Sequence, residues 1–586
     1  MNKKNQKEIL TEFNNSNFKK AYDLAINFDE KEKNEIILKI LAISSFKIEK
    51  YSNALSYGLD YLKLQDRSED IQILNIIGTS YSIIQDYEMG NKFLKEALLI
   101  DPKNINIRYN LGLNLYNQKK YRDSENQFNR IINNNRYYAD SLLLYGIIQS
   151  ELKNYKKSID IFRELIEKDK YTSQSNYNLG IVYQKIGEYE LSIRHFQNAI
   201  EYDNKQSQYY NSLGISFQKI SNFEKAETCY EKAISLNKNY EKAYSNLALL
   251  KQKNGFFNDA LKYFDIALEK KPKDNEILYN KSLCLLENGN FKEGLKLYKF
   301  RQNGKFISSD IFNLSNISNK KILITCDQGL GDIILLSRFV KILPNYGAKV
   351  TFQIPYSMRG LIKNLSSDIE ITTKEILNIN FDYKCTLGDL FEIFEVNKSN
   401  IPLTEDYLVI EKKWVDKWKN KIDNNKFNIG IAWQGKKGSI IDEGRSLKLK
   451  NFGIISNIKN INLISLQKND GAEQIDEFNK NNNIINFGET LDAEEKFMDT
   501  AGLMKNLDLV ISSDTSIIHL AGGLGVNAWL LLQKYPFWYW HTKDHFSIWY
   551  EKVKIFKQSE NHNWEKLFLE IKIELENLIK NNFKKD

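Results

Sequence analysis

Hydrophobic and small residues recur at a fixed interval of 34 residues through the first half of the chain, from Ile71 to Arg301. Each unit has a small residue, an aromatic residue nine positions later and a large apolar residue seven positions after that. The small residues are Gly78, Gly112, Gly146, Gly180, Gly214, Ala248 and Ser282. The large apolar residues are Leu94, Phe128, Phe162, Phe196, Tyr230, Phe264 and Tyr298. Because the apolar residues of each unit follow helical spacing on two successive segments, the pattern predicts packed pairs of α-helices.

This interval is that of the tetratricopeptide repeat, which the units resemble. One helix pair cannot bury both its faces, so stacked neighbours must supply the core and the first pair must act as a cap. Ala42, Phe46 and Ala54 indicate a further unit upstream, which gives about eight units within residues 1–301. The sequence therefore predicts an all-α solenoid, and any catalysis is expected from the residues that follow it.

The hydrophobic pattern changes after Arg301. A polar stretch at residues 302–319 is predicted to be a linker, and short apolar runs then alternate with amphipathic segments. The runs lie at 321–326, 349–354, 428–433, 462–467, 483–487, 508–512 and 528–532. Strand–helix alternation predicts parallel sheets covered on both faces. The runs form two groups, which predict two Rossmann-like halves at residues 320–410 and 411–586, with a ligand cleft where their strand ends meet.

The loop at residues 327–332 follows the first predicted strand. Its glycines, Gly329 and Gly331, permit a tight turn through which backbone N–H groups and a helix N-terminus can approach a ligand. Asp332 is expected at the start of that helix, where it either caps the helix or faces the ligand. The helix N-terminus is expected to lower the pKa of Asp332.

A second loop, after the run at 428–433, is rich in glycine and basic residues. Lys436 and Arg445 lie in it or just past it, where they either neutralise a diphosphate or remain solvated.

The third loop follows the run at 508–512. Hydroxyl and N–H groups at Ser513 and Thr515, at a helix start, are typical of an anion site. Asp514 is expected to cap the helix or contact a ribose. His519 lies one helical turn after Thr515, where it either contacts a ligand or packs in the core.

The segments DQGLGDIILLSRFVKIL and DTAGLMKNLDLVISSDTSIIHLAGGLG resemble the two signatures of glycosyltransferase family nine, the ADP-heptose:lipopolysaccharide heptosyltransferase superfamily. The resemblance extends to the subgroup in which tetratricopeptide repeats precede such a domain. It implies an α/β GT-B domain that transfers a sugar from a nucleotide-sugar donor, with an ADP-sugar favoured and with no metal or other cofactor. Arg445-Ser446-Leu447 stands where the family has a lysine-tryptophan-proline element, and Ser516 where it usually has glycine, so the donor's identity stays open.

The same resemblance implies roles for the loop residues. Asp332 matches the family's general base. The positions that match the lining of the donor diphosphate are Ser513, Asp514, Thr515 and His519, with Lys436 and Arg445 in the basic loop. In an inverting transfer, the base takes the proton of the acceptor hydroxyl as it attacks the anomeric carbon, while N–H dipoles and cations stabilise the departing diphosphate.

Asparagine recurs two positions before the small residue of four repeats. These residues are Asn110, Asn178, Asn246 and Asn280. Amides at this position can bond both the N–H and C=O groups of an extended peptide. They resemble the asparagine ladder of protein O-GlcNAc transferases, which implies a protein or peptide acceptor in the repeat groove. The repeats could equally dock partner proteins or brace the enzyme.

The charge, cysteine content and apolar runs of the chain limit the kinds of partner and the location that we expect. The net charge of +8, from 83 basic and 75 acidic residues, is mild for 586 residues and does not favour nucleic-acid binding. The four scattered cysteines are expected to be reduced core residues. The N-terminal segment lacks the apolar stretch of a signal peptide, and no apolar run approaches the roughly 20 residues of a membrane span. We therefore expect a cytoplasmic protein, compatible with peripheral association with a membrane.

Two hypotheses of different class follow. In the first, the chain is an active glycosyltransferase whose repeats recruit a protein or glycan acceptor. In the second, the transferase domain is catalytically silent and the chain is a scaffold for protein–protein interaction. A Rossmann oxidoreductase is disfavoured because the first strand leads to GLGD and not to GxGxxG.

Overall fold

The computed structural model describes most of the chain and divides it into two compact units, Met1–Ala243 and Tyr244–Asp586. The described residues are 3–28, 34–64, 69–134, 139–301, 312–376, 380–402, 406–437, 444–540, 545–559 and 563–582. Residues 302–311 of the predicted linker lie outside them.

The described part of the first unit is helical, and each helix packs mainly against the next one along the chain. Its helices are α1 (Lys3–Asn14), α2 (Phe18–Ile26), α3 (Glu35–Lys47), α4 (Tyr51–Leu62), α5 (Ile71–Ile83), α6 (Tyr87–Ile100), α7 (Ile105–Asn117), α8 (Tyr121–Asn134), α9 (Ala139–Glu151), α10 (Tyr155–Glu167), α11 (Thr172–Ile186), α12 (Tyr189–Tyr202), α13 (Ser207–Lys219) and α14 (Phe223–Leu236).

The repeated small residues let the two helices of a pair approach closely. A Cβ atom built on Gly180 of α11 would lie 2.5 Å from Cε1 of Phe196 on α12, so only glycine fits without a shift of the ring. The Ser192 hydroxyl, also on α12, donates to the Gly180 carbonyl at 2.9 Å. Equivalent serine-to-glycine bonds join α7 to α8 and α9 to α10. The same two contacts therefore set the packing of successive pairs.

The second unit begins with the last repeat helices and continues into an α/β region. Its helices are α15 (Glu241–Lys253, which crosses the division), α16 (Phe257–Lys270), α17 (Asn275–Glu287), α18 (Phe291–Tyr298), α19 (Leu330–Ile342), α20 (Arg359–Ile362), α21 (Leu390–Ile393), α22 (Lys412–Lys419), α23 (Gly453–Ser456), α24 (Ile475–Phe478), α25 (Met498–Met504), α26 (Ser516–Gly523) and α27 (Trp564–Asn582). Its strands are β1 (Lys321–Thr325), β2 (Lys349–Gln353), β3 (Ile369–Thr372), β4 (Tyr383–Thr386), β5 (Phe427–Ala432), β6 (Ile461–Ser465), β7 (Leu509–Ser513), β8 (Ala528–Leu532) and β9 (Val553–Lys557).

Within the described residues of this unit, the strands form two wholly parallel sheets, with the orders β3-β2-β1-β4 and β6-β5-β7-β8-β9. Strands β5, β7 and β8 are buried along their whole length, as is typical of parallel strands covered on both faces. The structure therefore contains the α/β arrangement that the strand–helix alternation predicts.

Several elements differ from the sequence prediction. Residues 483–487 form no strand, only an isolated bridge between Ile485 and Ile464. Strands β3, β4 and β9 were not predicted, because β3 and β4 are short and partly polar and β9 alternates apolar residues with lysine and phenylalanine that are only partly buried. In the described chain, α1–α18 make nine helix pairs, where about eight are expected, because α1 and α2 also pair. Among the helices described, none has the length and apolar character needed to span a membrane.

The last repeat shares its hydrophobic core with the α/β region. Leu286, Leu295 and Tyr298, from α17 and α18, belong to the same buried cluster as Ile324 of β1 and Val510 of β7. The outer face of the second sheet has a separate core that α27 covers. Burial of apolar area therefore binds α17 and α18 to the sheets.

Replacement of Gly180 by Val should destabilise the first unit by about 2–3 kcal/mol, because the added side chain would overlap the Phe196 ring in a close-packed core. Urea unfolding, followed by far-ultraviolet circular dichroism, measures this change. The matched control is Gln174→Val on the exposed face of the same helix, for which we expect a cost below about 1 kcal/mol. Equal costs for the two variants would contradict the packing argument.

Candidate functional site

A cavity of about 1010 Å³ lies at the carboxyl ends of strands from both sheets. Its walls come from the loops after β1, β5, β6 and β7, from residues 492–500 at the start of α25, from the segment after β8, and from Tyr279 and Tyr298 of the last repeat. The first sheet reverses its strand order between β1 and β4, and the second between β5 and β7. Ligands of open α/β sheets bind at such switch points, so the fold itself places a binding site here.

Asp332 lies on the cavity wall as the third residue of α19. Its Oδ2 atom accepts a hydrogen bond from the Gly329 N–H group at 3.1 Å. Its Oδ1 atom accepts one from the Tyr539 hydroxyl at 3.2 Å. One carboxylate oxygen thus caps the helix, as the sequence suggested, while the side chain also faces the cavity.

The environment raises the pKa of Asp332 to about 6, chiefly through burial and further through the nearby carboxylates of Asp514 and Asp327. The hydrogen bonds from Tyr539 and Gly329 lower this pKa and offset part of the rise. The N–H group at the helix start thus lowers the pKa of Asp332 as expected, but removal from water raises it by more, so the net shift is upward.

Thr515, and not Asp514, caps the second helix of the site. The Thr515 hydroxyl accepts a hydrogen bond from the Ile517 N–H group at 3.3 Å, at the start of α26. Asp514 instead lines the cavity, and burial raises its pKa while the Arg445 cation partly offsets the rise. Ser513 is fully buried at the end of β7 and is absent from the cavity wall, so it lies behind the site.

His519 is buried in a cage of aromatic rings at the cavity wall. Its Nδ1 atom lies 3.0 Å from the Tyr550 hydroxyl, and its ring stacks on Trp540 with centroids 5.2 Å apart. Burial, with the cations Arg338 and Arg445 nearby, lowers the pKa of His519 to about 3. The imidazole is therefore neutral near neutral pH, and the 4.0 Å approach of its Nε2 atom to Asp514 is not an ion pair.

Both loop glycines lie on the cavity wall, and one allows the two helices of the site to approach each other. A Cβ atom built on Gly331 would lie 3.0 Å from Cδ2 of His519, so a larger residue would push α19 from α26. Gly329 is the N-terminal cap residue of α19. The turn thus brings Asp332 and His519 to one wall.

The basic loop after β5 also borders the cavity, through Lys436 and Arg445. Gln467, after β6, holds this loop: its Oε1 atom accepts from the backbone N–H groups of Trp433 at 2.9 Å and Gln434 at 3.0 Å. Among the described residues, the buried Nε atom of Arg445 has no hydrogen-bond partner. A buried donor without a partner beside a cavity is suited to an anionic ligand.

Some residues of the site carried no recognised signal in the sequence. Lys468, in the loop after β6, and Lys496, before α25, add two further cations to the wall. Tyr539 and Trp540 contact Asp332 and His519 from the segment YPFWYW, residues 535–540, which we call the aromatic loop. The density of aromatic residues directly after a strand, at the expected ligand edge, is the signal that could have found this loop.

The four predicted groove asparagines lie half-buried on the first helices of their repeats. Asn110 and Asn178 belong to the first unit, on α7 and α11, while Asn246 and Asn280 belong to the second, on α15 and α17. The Asn110 amide donates to Asn75 at 2.9 Å and that of Asn178 to the backbone carbonyl of Gln174 at 2.9 Å. Both donors thus already have partners within the protein, while their carbonyl oxygens keep acceptor capacity.

Comparison with known families and structures concerns the repeats. Tetratricopeptide repeat family models match residues 171–239, and residues 109–172 and 245–299. No curated protein matches the chain. The predicted tetratricopeptide repeats are therefore confirmed. Repeats of this kind generally mediate protein–protein interactions.

Solved structures with similarity to this chain include a tetratricopeptide repeat protein from Parabacteroides merdae ATCC 43184. It is 16% identical, with 43% of this chain and 98% of that chain covered and a TM-score of 0.40. The APC/C hetero-tetramer Cut9–Hcn1 is 14% identical, with 46% and 52% covered and a TM-score of 0.35. YrrB, described as a TPR protein with an unusual peptide-binding site, is 18% identical, with 30% and 92% covered and a TM-score of 0.25.

The carboxyl group of Asp332 should titrate near pH 6. Asp514→Asn should lower this pKa because it removes a like charge, and Tyr539→Phe should raise it because it removes a hydrogen bond to the charged form. Infrared titration of protein labelled with ¹³C-carboxyl aspartate measures both changes, with Asp332→Asn identifying the band. A titration near pH 4, the ordinary value for aspartate, would contradict the assigned environment.

Proposed function

We propose that this protein is a glycosyltransferase of the GT-B kind. It transfers a sugar from a nucleoside-diphosphate donor, with inversion, to a protein or glycan acceptor recruited by the repeats. The observation that carries the proposal is the cavity of about 1010 Å³ at the switch points of two parallel sheets. A volume at the upper end of typical ligand pockets leaves room for a nucleotide sugar and an acceptor group.

The electrostatics of the cavity fit an anionic donor. Four cations border it beside four aspartates, and the first N–H groups of α26 follow Asp514 at its wall. The cations are Lys436, Arg445, Lys468 and Lys496, and the aspartates are Asp332, Asp470, Asp492 and Asp514. Cations and a helix N-terminus stabilise the charge that develops on a departing diphosphate. The neutral imidazole of His519 adds a hydrogen-bonding group and no further charge, so it can line the donor without attracting or repelling it electrostatically.

Asp332 is the proposed general base. With a pKa of about 6, it is mostly ionised at neutral pH and is a stronger base than an ordinary aspartate. In the transfer, the acceptor oxygen forms a bond to the anomeric carbon while the bond from that carbon to the diphosphate oxygen breaks. The acceptor proton passes to Asp332, and the nucleoside diphosphate leaves with the bonding electron pair.

The repeats are the proposed recruiting surface for the acceptor. Their general role in protein–protein interaction supports a protein acceptor, and the amide oxygens of Asn110 and Asn178 are available to accept from a peptide backbone. If the α/β region is silent, the same surface makes the chain a scaffold. The measurement of donor binding separates these two functions.

Purified protein should bind one of the ADP-, UDP-, GDP- or CMP-sugars in a calorimetric screen and hydrolyse it slowly, with water as the acceptor. Asp332→Asn should leave the donor Kd within about twofold and reduce hydrolysis by roughly 10²-fold or more, because it removes only the base. Saturable binding that is lost together with hydrolysis would instead place Asp332 in donor binding. No binding of any donor at millimolar concentration would leave the scaffold as the function.

The neighbouring lysines of the basic loop provide a matched pair. Both are exposed, but Lys436 borders the cavity and Lys437 does not contribute to its wall. Lys436→Ala should weaken donor binding by roughly tenfold, which corresponds to about 1.4 kcal/mol, because a charge-assisted contact to phosphate is lost. Lys437→Ala should leave the Kd unchanged. Equal effects in the calorimetric titration would show a general charge effect and not a contact.

A further inference from the structure

The turn at residues 491–497, which we call the wall turn, carries three side chains of the cavity wall. These are Asp492, Lys496 and Phe497, and Thr500 of α25 follows them. The backbone of Asp492 has a φ angle of 54° and that of Phe497 one of 66°. Residues with a side chain disfavour this conformation, which persists only where surrounding contacts over-determine it. Specific contacts must therefore hold this part of the wall in its shape.

The carboxylate of Asp499 provides such a contact. Asp499 lies in α25, is fully buried and does not line the cavity. Its Oδ2 atom accepts a hydrogen bond from the Asp492 N–H group at 3.1 Å. The Asp492 carboxylate in turn accepts from the Thr500 N–H group at 2.9 Å and from the Thr500 hydroxyl at 2.6 Å. Two aspartates thus close the wall turn onto the first turn of the helix that follows it.

Helix α22 holds the other oxygen of Asp499. The Oδ1 atom accepts from the Trp418 indole N–H group at 2.9 Å and lies 2.8 Å from the Lys417 ammonium group. The two helices also pack closely, because a Cβ atom built on Gly502 of α25 would lie 2.3 Å from the Trp414 carbonyl oxygen. None of the residues of α22 lines the cavity. Asp499 therefore joins a helix that lies away from the cavity to the turn that lines it.

We infer that Asp499 is a positioning residue for donor binding, because it holds the wall turn in the conformation that contacts the donor. The inference rests on the proposed function only for its effect on donor affinity. Without the bond to Asp499, the strained backbone of Asp492 loses the contact that fixes it and should relax. The Lys468 ammonium group donates to the Leu491 carbonyl in the same turn, so a cation of the neighbouring loop would shift as well. A wall that is already ordered costs less free energy to organise when a ligand binds.

Two tryptophans of α22 provide a matched test. Trp418→Phe removes the indole N–H group that bonds Asp499 and keeps an aromatic ring beside Phe487, which Trp418 meets edge to face. Trp414 lies one turn earlier on the same helix and is also buried, and its indole N–H group has no hydrogen-bond partner among the described residues. Trp414→Phe is therefore the control, because it removes the same atoms but no hydrogen bond. Asp499→Asn is the stronger variant, and the tryptophan pair decides alone should Asp499→Asn fail to fold.

The first readout does not depend on a donor. In hydrogen–deuterium exchange followed by mass spectrometry, peptides that cover residues 491–500 should exchange roughly threefold faster in Trp418→Phe than in the wild type. The reason is that the Asp492 and Thr500 amide groups lose partners that are held in place. Asp499→Asn should increase the exchange further, and Trp414→Phe should match the wild type. Exchange that is unchanged in Trp418→Phe, or that rises equally in Trp414→Phe, overturns the inference.

The second readout separates donor affinity from turnover. Trp418→Phe should raise the calorimetric donor Kd by roughly threefold and Asp499→Asn by roughly tenfold, while kcat for donor hydrolysis stays within about twofold, because Asp332 keeps its contacts. Trp414→Phe should leave both quantities unchanged. A fall in kcat at an unchanged Kd, or an equal rise of Kd in Trp414→Phe, contradicts the assigned role. If the wild type binds no donor, the proposed function fails, and the exchange experiment still decides whether Asp499 holds the wall turn.

Discussion

One buried cation holds the last repeat to the candidate site. The guanidinium of Arg301, the third residue after α18, is buried and contacts Asp327 after β1 at 2.6 Å and Asp389 after β4 at 2.8 Å. It also donates to Thr386 and to the carbonyl of Tyr298. The loss of one partner from such a buried group costs about 3–5 kcal/mol, because the remaining charge is left unpaired. The switch point of the first sheet is therefore built around a residue of the repeats.

The charged groups around Arg301 affect the pKa of Asp332, the candidate base. Arg301 contacts Asp327 and Asp389, and Asp327 is one of the neighbours that raise the pKa of Asp332. The Tyr539 hydroxyl acts in the opposite direction. Burial and like charge make the carboxylate a better base, while the hydrogen bonds keep it ionised near neutral pH. A base is most effective when its pKa lies near the working pH, and this balance produces that condition.

Much of the fold can be predicted from the sequence, because the apolar residues that become buried recur at regular intervals along it. The interval of 34 residues locates the repeats, and the alternation of strands and helices brings Asp332, Lys436 and Asp514 to one edge. Contacts between distant segments leave no periodic trace, so the places of Tyr298 and the aromatic loop at the cavity could not be predicted. Thr515 rather than Asp514 caps α26, and the pKa of Asp332 rises where the helix N-terminus alone would lower it, because both depend on what packs around them.

The end of the repeats in the sequence differs from their end in the packing of the protein. The sequence pattern places the end of the repeats at Arg301, because the 34-residue interval stops there. In the folded protein, however, the last repeat belongs to the core of the α/β region, through Leu286, Leu295 and Tyr298. A cut at Arg301 would expose that core, leave Asp327 and Asp389 buried without their cation, and remove Tyr298 from the wall of the cavity. The last repeat is thus at once the end of a solenoid and a wall of the cavity. A solenoid that ends in this way needs no separate C-terminal cap, because the α/β region covers the face that a capping helix would otherwise bury.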